Sequence, residues 1–162
     1  MFELGLLKGA GMRTRWGSSL DFVPHISGGR VCWHRSEKKA LLDVIIDPKE
    51  EELRRLTFIH GAERLHEDLN RVLPHAVEKA KETWRRGETD RGLLSLVQEI
   101  REHNTNCFPF DNYTQLPLAY AFLLGKLGDL TSAEQELNRY ASRSKLDSET
   151  AAKLRKLARG LA

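Results

Sequence analysis

Four side chains that could do chemistry are consecutive in the segment GGRVCWHRSEKKALLDVIID, residues 28–47: Cys32, Trp33, His34 and Arg35. A thiol and an imidazole form a nucleophile–base pair when they come within roughly 2.6–3.2 Å of each other. We predict that the segment is a β-strand, in which Cys32 and His34 share a face about 6.6 Å apart along the chain. This spacing is too long for direct proton transfer, so we expect no catalytic pair here.

A metal centre would need more ligands than this strand offers. Zinc takes three or four protein ligands, but the six histidines include no HExxH or HxH spacing, and Cys32 and Cys107 share no metal-type spacing. Asp21, Asp43 and Asp47 could hold Mg²⁺ for nuclease chemistry if they faced one site, yet no accompanying lysine is evident. No GxGxxG loop indicates a nucleotide. We therefore predict no catalytic residue, no metal and no cofactor.

Arginines and aromatic residues mix through the first predicted strands, which suggests a binding surface. We call this set the basic–aromatic strip: Arg13, Arg15, Trp16, Phe22, Arg30, Trp33 and Arg35. Tryptophan and arginine are enriched at protein-binding hot spots, and such a surface could also stack bases and bind phosphates. Trp33 shares a strand face with Val31, so we expect it to be buried. Arg15 and Trp16 lie beside the irregular stretch Gly17-Ser18-Ser19, so we expect both at the surface.

A second aromatic segment is the loop NTNCFPFDNYT, residues 104–114, which is rich in turn-forming residues. Its aromatic side chains are a further source of contacts. The residues that we predict to bind a partner are Arg15, Trp16, His34 and Arg35, with Phe108, Phe110 and Tyr113 from the loop.

The first part of the chain is predicted to be β structure. The expected strands are Arg13–Ile26, Arg30–Ser36 and Ala40–Ile46, with Asp47-Pro48 as the stop. Gly28 and Gly29 can supply the positive φ angles of a hairpin turn. Three antiparallel strands in a meander is the simplest topology.

The second part is predicted to be helical, because apolar residues recur at steps of three and four. One stripe runs from Ala62 to Trp84 and keeps its phase across Pro74, which favours a kink rather than a break. Further helices are expected at 91–103 and 116–127, the second with Gly128 as its C-terminal cap.

Two more helices complete the predicted second part. Thr131 and Glu134 fit a capping box for the next helix, and Asp147 or Ser148 caps the last one. The predicted fold class is α+β: an N-terminal antiparallel meander of about three strands packed by helices, then a helical C-terminal half. We expect one domain over 1–162, mostly β over 1–58 and mostly α over 59–162, with a helical hairpin at 115–143.

Composition and charge bound the class of protein. An apolar fraction of 40% and a charged fraction of 30% are typical of a globular protein. The formal charge of +3 is small, whereas dedicated duplex-binding proteins usually show a clustered excess of basic residues. The start, MFELGLLKGAGM, lacks the cationic region of a signal peptide, and no apolar run approaches the roughly 20 residues that cross a bilayer. We expect a cytoplasmic protein with no membrane partner.

The stretch LAYAFLLGKLGDLTSAEQELNRY, Leu118–Tyr140, resembles one helical hairpin of the tetratricopeptide type. Since repeats of this kind need about three units for stability, a single unit implies a packing device. The wider layout, with FVPHI, CWHR and this hairpin, is similar to small bacterial α+β domains of uncharacterised function, some of which act as immunity proteins against secreted toxins. Immunity proteins against basic nuclease toxins are commonly acidic, and this chain is not. The resemblance therefore implies a partner other than a strongly basic nuclease.

Three functional hypotheses follow. The first is a non-catalytic protein-binding domain, an immunity protein that neutralises a bacterial toxin by stoichiometric binding. The second is a nucleic-acid-associated regulatory protein that uses the basic–aromatic strip. The third is an enzyme whose His/Asp or His/Cys site is formed only by the fold. Neither the identity of the partner nor the oligomeric state can be read from these residues.

Overall fold

The computed structural model describes residues 2–7, 11–33, 43–46, 56–57, 62–103 and 116–162. Short strands occupy the N-terminal part of these residues and helices follow, which confirms the predicted α+β class. The strands are β1 (Phe2–Leu7), β2 (Gly11–Ser18), β3 (His25–Ser27), β4 (Arg30–Cys32), β5 (Val44–Ile46) and β6 (Leu56–Thr57). The helices are α1 (Ala62–Arg86), α2 (Asp90–His103), α3 (Leu116–Lys126), α4 (Leu130–Arg143) and α5 (Ser148–Arg159).

The strands form two small sheets. In the first, β2 lies between β1 and β5, and β6 also pairs with β2. β1 and β2 are antiparallel, in a register that runs without a bulge from Phe2 opposite Trp16 to Leu7 opposite Gly11. Sequence analysis did not predict β1, because the apolar residues at its position were considered only as part of a possible signal peptide.

The second sheet is the hairpin of β3 and β4, with Ile26 opposite Val31. Its turn residues Gly28 and Gly29 have φ angles of 56° and 74°. Both values are positive, as a type I′ turn requires, and the right-handed strand twist favours that turn. The glycine prediction is confirmed. The predicted strand Arg13–Ile26, however, is divided, because β2 ends at Ser18 and β3 begins at His25.

The long helix α1 continues through Pro74 without interruption. A proline inside a helix removes one backbone donor, so the carbonyl four residues earlier loses its partner. Pro74 lies on the exposed side of α1, where water can satisfy that carbonyl. The buried residues Val72, Ala76 and Ala80 follow the predicted stripe on both sides of the proline.

The end of α3 and the start of α4 are fixed by two caps. Gly128 has φ of 86°, and its amide donates to the Gly125 carbonyl while the Asp129 amide donates to Leu124. These two bonds define a Schellman motif, so the prediction for Gly128 is confirmed. The predicted capping box at Thr131 is wrong. Asp129 is the N-cap of α4, since its side chain accepts from the Ser132 amide at 3.1 Å.

The turn between α4 and α5 has the same type of helix-ending motif, with a lysine in the position that Gly128 occupies after α3. The Leu146 amide donates to the Ala141 carbonyl, and Lys145 has a φ of 49° where a glycine is usual. Asp147 then caps α5 by accepting from the Thr150 amide at 2.7 Å. Of the two predicted alternatives, Asp147 is therefore the N-cap and Ser148 is the first helical residue.

The chain divides into two compact units. Unit 1 contains Met1–Ser18 and Ile45–Arg86, and unit 2 contains Ser19–Val44 and Gly87–Ala162. The buried core of unit 1 is Trp16, Val72, Ala76 and Ala80. The larger core of unit 2 centres on α3 and includes Val23, Val44, Val97, Leu118, Phe122, Leu123, Leu137 and Leu154. The expectation of a single domain remains a prediction.

Candidate functional site

Trp16 is a core residue of unit 1, with only 3% of its surface exposed. It packs with Val72, Ala76 and Ala80 of α1, and its indole Nε1 donates to Thr83 Oγ1 at 3.0 Å. The prediction that Trp16 is exposed is wrong, because this face of β2 is covered by α1. A buried indole cannot be a direct anchor for a partner, and its neighbour Arg15 is half-buried.

A second indole supports the same region of unit 1. Trp84 Nε1 donates to the backbone carbonyl of Gly17 at 3.2 Å. The end of β2 is therefore tied to the last turns of α1 by two tryptophan side chains, one from each element. Gly17, the first residue of the stretch that was expected to be irregular, is held by this hydrogen bond and is buried.

The remaining described part of the basic–aromatic strip lies in unit 2. Phe22 is half-buried, and the Lys126 ammonium lies 4.3 Å from the centre of its ring. Lys126 also forms an ion pair with Asp90 at 3.1 Å. Phe22 is thus part of an internal cation–π contact, which leaves the end of the hairpin as the described portion of the strip that is most accessible.

At that end, Arg30 is exposed and Trp33 is half-buried. The Cys32 thiol is free, and its Sγ lies 3.7 Å from the carbonyl oxygen of Arg30, to which it donates a weak hydrogen bond. Trp33 follows the last residue of β4. The expectation that Trp33 is buried is therefore met only in part.

Five of the predicted contact residues lie outside the described residues: His34, Arg35, Phe108, Phe110 and Tyr113. Whether His34 shares a face with Cys32 is accordingly not tested. The predicted contacts from the loop at 104–114 stay predictions for the same reason.

The hairpin is supported at its turn and along its length. The Thr150 hydroxyl in the first turn of α5 lies 3.0 Å from the Gly29 carbonyl oxygen and 3.0 Å from Asp147 Oδ2. A hydroxyl has one proton, so Thr150 can donate to only one of these two oxygens at a time. Ile26 and Val31, which face each other across the hairpin, pack against the core of unit 2. The segment that leaves β4 after Trp33 therefore starts from a fixed support.

Asp43 is the carboxylate that sequence analysis considered for Mg²⁺ binding. Its side chain is fully buried, and Oδ2 accepts a hydrogen bond of 2.6 Å from the amide of Leu20. This hydrogen bond satisfies the Leu20 amide and connects Asp43 to the loop that follows β2. Within the described ranges, no three His, Cys, Asp or Glu side chains come together in a way that could hold a metal ion.

The described surface is polar. Among the side chains that the structure describes, Leu130 is the one large apolar residue classed as exposed, at 38%. Described aromatic side chains are all buried or half-buried. The described accessible side chains of unit 2 are consequently mainly polar or charged, whereas sequence analysis expected Arg15 and Trp16 to be the exposed pair.

No helix within the described residues is long and apolar enough to span a membrane. No family model matches the sequence, no curated protein matches it, and no solved structure matches the fold.

Proposed function

We propose that this chain is a non-catalytic protein-binding domain, an immunity protein that neutralises a bacterial toxin by stoichiometric binding. The contact surface, which we call the hairpin end, consists of Arg30, the first residue of β4, and Trp33, which follows the last residue of β4, continued in sequence by His34 and Arg35. Trp16, which is buried, is not part of it. The observation that carries the proposal is the double support of the hairpin, at Gly29 by Thr150 and along its length by Ile26 and Val31.

A fixed support favours tight binding. Ordering a loop or a long side chain at an interface costs roughly 0.5–1.5 kcal/mol for each side chain that is immobilised. A hairpin that is already held against a core has lost this freedom before the partner arrives. Arginine and tryptophan are also the residue types that most often dominate binding energy. The hairpin end therefore combines suitable residues with a rigid base.

Two of the described groups that could have done chemistry have structural partners, which is compatible with a binding role. Asp43 holds the Leu20 amide in the core, and the Cys32 thiol donates to the Arg30 carbonyl. A general base or nucleophile would instead need to lie within hydrogen-bond distance of a substrate atom.

Nucleic-acid binding is the second candidate function, and it is favoured by an exposed arginine, Arg30, and a half-buried tryptophan, Trp33, three residues apart in the sequence. An arginine can neutralise a phosphate while an indole stacks on a base. The two candidates differ in their dependence on salt. Phosphate binding weakens steeply as ionic strength rises because counterions are released, whereas a contact centred on Trp33 weakens much less.

The test uses the full chain and, as the candidate toxin, the secreted-type protein that the proposal expects to be encoded beside its gene. Titration calorimetry should give one chain bound per toxin, and co-expression should restore growth of a host that makes the toxin. Trp33→Ala should weaken binding by about 30-fold, the effect of losing a hot-spot residue. Arg64→Glu, at an exposed position of α1, is the control and should bind normally.

Several results would contradict the proposal. Equal binding by Trp33→Ala and Arg64→Glu would remove the hairpin end from the interface. Loss of toxin binding in Phe108→Ala with no loss in Trp33→Ala would assign the contact to the loop at 104–114. Growth rescue without a stable complex would exclude stoichiometric inhibition.

A further inference from the structure

The first turn of α5 is in direct contact with the turn of the β3–β4 hairpin. The Thr150 hydroxyl oxygen lies 3.0 Å from the carbonyl oxygen of Gly29, and α5 contacts β4. The Gly29 carbonyl and the Arg30 amide belong to one planar peptide unit. A hydrogen bond that fixes the Gly29 oxygen therefore also fixes the backbone orientation at Arg30, the exposed arginine of the hairpin end.

Apolar packing supports the strands of the hairpin but not its turn. Ile26 and Val31, which pack against the core of unit 2, lie opposite each other one cross-strand pair away from the turn. Gly28 and Gly29 have no side chains to pack, and both are exposed. Within the described part of the chain, the hydrogen bond that reaches this turn from another element comes from Thr150. The position of the turn therefore depends on that hydroxyl.

The Thr150 hydroxyl has a second acceptor, the carboxylate that caps α5. Asp147 Oδ1 accepts from the Thr150 amide at 2.7 Å, and Asp147 Oδ2 lies 3.0 Å from the Thr150 hydroxyl oxygen. A hydrogen bond to a carboxylate is roughly twice as strong as one to a neutral carbonyl. Because the hydroxyl has a single proton, Asp147 competes with Gly29 for it and weakens the contact with the hairpin turn.

We propose that Thr150 is a positioning residue for Arg30 in the hairpin end, and that Asp147 limits this support by competing for the hydroxyl proton of Thr150. The inference rests on the proposed function and adds how the contact surface is held and adjusted from α5. A change at either side chain should alter the backbone at Arg30 while Arg30 itself stays unchanged.

Replacement of Asp147 by asparagine should redirect the proton to the hairpin. In Asp147→Asn, the side-chain oxygen still accepts from the Thr150 amide, which places the NH₂ group at the position of Oδ2. An NH₂ group donates and does not accept, so it donates to the Thr150 hydroxyl oxygen and leaves the hydroxyl proton for Gly29. Asparagine is also a favourable N-cap residue, so α5 should keep its start.

The experiment measures hydrogen exchange of the β4 amides in the full chain by NMR, with the amides of the buried helix α3 as a reference for opening of unit 2 as a whole. Thr150→Val removes the hydroxyl at nearly constant shape and should speed exchange in β4 by about threefold to tenfold relative to α3. Thr150→Ser keeps the hydroxyl and should restore the rate of the unmodified chain. Asp147→Asn should slow exchange in β4 by about twofold to threefold.

Two controls separate the competition for the proton from effects of charge and capping. Asp129→Asn makes the same replacement at the N-cap of α4, where the side chain accepts from the Ser132 amide, and it should leave exchange in β4 unchanged. The double variant Thr150→Val with Asp147→Asn has no hydroxyl proton to redirect. Its exchange in β4 should therefore equal that of Thr150→Val alone.

Four results would overturn the inference: unchanged exchange in Thr150→Val, equal acceleration in β4 and α3, slower exchange in Asp129→Asn as well, or a slowing by Asp147→Asn that persists without the hydroxyl. These measurements do not use the toxin, so failure of the proposed function would leave them intact. With the toxin, Thr150→Val should lower the affinity by the factor by which the docked fraction of the hairpin decreases. Trp33→Ala should lose the toxin while Asp147→Asn still slows exchange in β4.

Discussion

At the scale of single residues, the most informative side chain is Trp16, whose indole is committed to the interior of unit 1. Its Nε1 donates to Thr83 Oγ1, and the same hydroxyl donates to the Lys79 carbonyl at 2.9 Å. Thr83 therefore acts as an acceptor and a donor at once. This relay joins β2 to α1, and a buried donor without its acceptor costs about 1–3 kcal/mol.

We expect Thr83→Val to destabilise the chain by about 1–3 kcal/mol, because the indole keeps its N–H and loses this acceptor. Trp16→Phe should also destabilise it, through the lost hydrogen bond and the smaller ring. The double variant should be less destabilised than the sum of the two, by roughly 0.5–1.5 kcal/mol. Urea denaturation followed by circular dichroism measures all three values, and strict additivity would show that the bond contributes nothing.

Residue types alone could not establish which side of β2 is covered. Alternation in a strand assigns side chains to two faces, but the position of α1 decides which face is buried. Trp16 was for this reason expected at the surface and is found in the core. Asp43 shows the same difficulty: its type allows metal binding, while its role depends on the Leu20 amide, 23 residues away in the chain.

At the scale of elements, two helices end with a residue of positive φ, which is a glycine in one case and a lysine in the other. Gly128 and Lys145 both follow a helix with a positive φ. Glycine adopts this region freely, while for a residue with a Cβ the left-handed conformation is less favourable by roughly 1–2 kcal/mol of conformational free energy. A Cβ added at Gly128 would meet no atom within 4 Å, so any cost of substitution there is conformational.

Lys145→Gly should therefore stabilise the chain by about 0.5–1 kcal/mol, the relief of strain less the greater freedom of glycine in the unfolded state. Gly128→Ala should destabilise it by about 1–2 kcal/mol for the converse reason. Thermal unfolding of both variants measures the pair. A loss of stability in Lys145→Gly would mean that the lysine side chain contributes more than its backbone costs.

The contact of α3 with α5 depends on a glycine for a different reason. A Cβ at Gly125 would lie 2.8 Å from the backbone oxygen of Ala158, and at Gly160 the nearest atom would be 3.5 Å away. The first distance is shorter than a van der Waals contact and involves backbone, which cannot rotate away.

Gly125→Ala should destabilise the chain by about 1–3 kcal/mol, since α5 must move to accept one methyl group. Gly160→Ala is the matched control and should change stability by no more than about 0.5 kcal/mol, because its φ of −77° suits alanine. Chemical denaturation of the two variants tests the comparison. Similar values for both would show that α5 is free to shift.

Periodicity predicted the helices well and the strands less well. The stripe from Ala62 to Trp84 follows a single helix because its period is repeated over many residues. β1 does show an alternation of Phe2, Leu4 and Leu6, but these apolar residues were considered only as part of a possible signal peptide. The capping box at Thr131 failed because Asp129, two residues earlier, competes for the same role and holds the Ser132 amide.

At the scale of the whole molecule, the dependence of stability on pH follows from the two aspartate caps. Hydrogen bonds from Ser132 lower the pKa of Asp129, and hydrogen bonds from Thr150 lower the pKa of Asp147. A carboxyl whose pKa is lowered by folding stabilises the native state above its unfolded pKa. That contribution is lost as pH falls through the native pKa.

We therefore expect the midpoint of urea denaturation to decrease as pH falls below the usual aspartate value of about 4. Asn substitutes well at an N-cap and does not titrate. The double variant Asp129→Asn with Asp147→Asn should keep most of its stability at neutral pH and lose less on acidification. If stability decreases on acidification as much in that variant as in the unmodified chain, the decrease is caused by other carboxylates.

At high pH, the stability of the chain also depends on the half-buried phenol of Tyr140. Burial raises the pKa of Tyr140, against a smaller opposing effect of its hydrogen bond with Ser144. The native state thus favours the neutral phenol, and this stabilisation is lost as pH rises through the native pKa. Tyr140→Phe should flatten the decrease of stability above about pH 10, measured by the same denaturation series.

The hydrogen bond between Thr150 and Gly29 spans 121 positions of the chain. During translation at about 5–20 residues per second, the hydrogen-bond donor reaches the turn of the hairpin roughly 6–24 seconds after that turn is synthesised. A hairpin of two short strands is marginal in water by itself, so β3 and β4 gain the contact with Thr150 only after α5 has been synthesised. We expect nascent chains that stop before Thr150 to be cut more readily in the hairpin by proteases than the full chain is, because they lack this hydrogen bond.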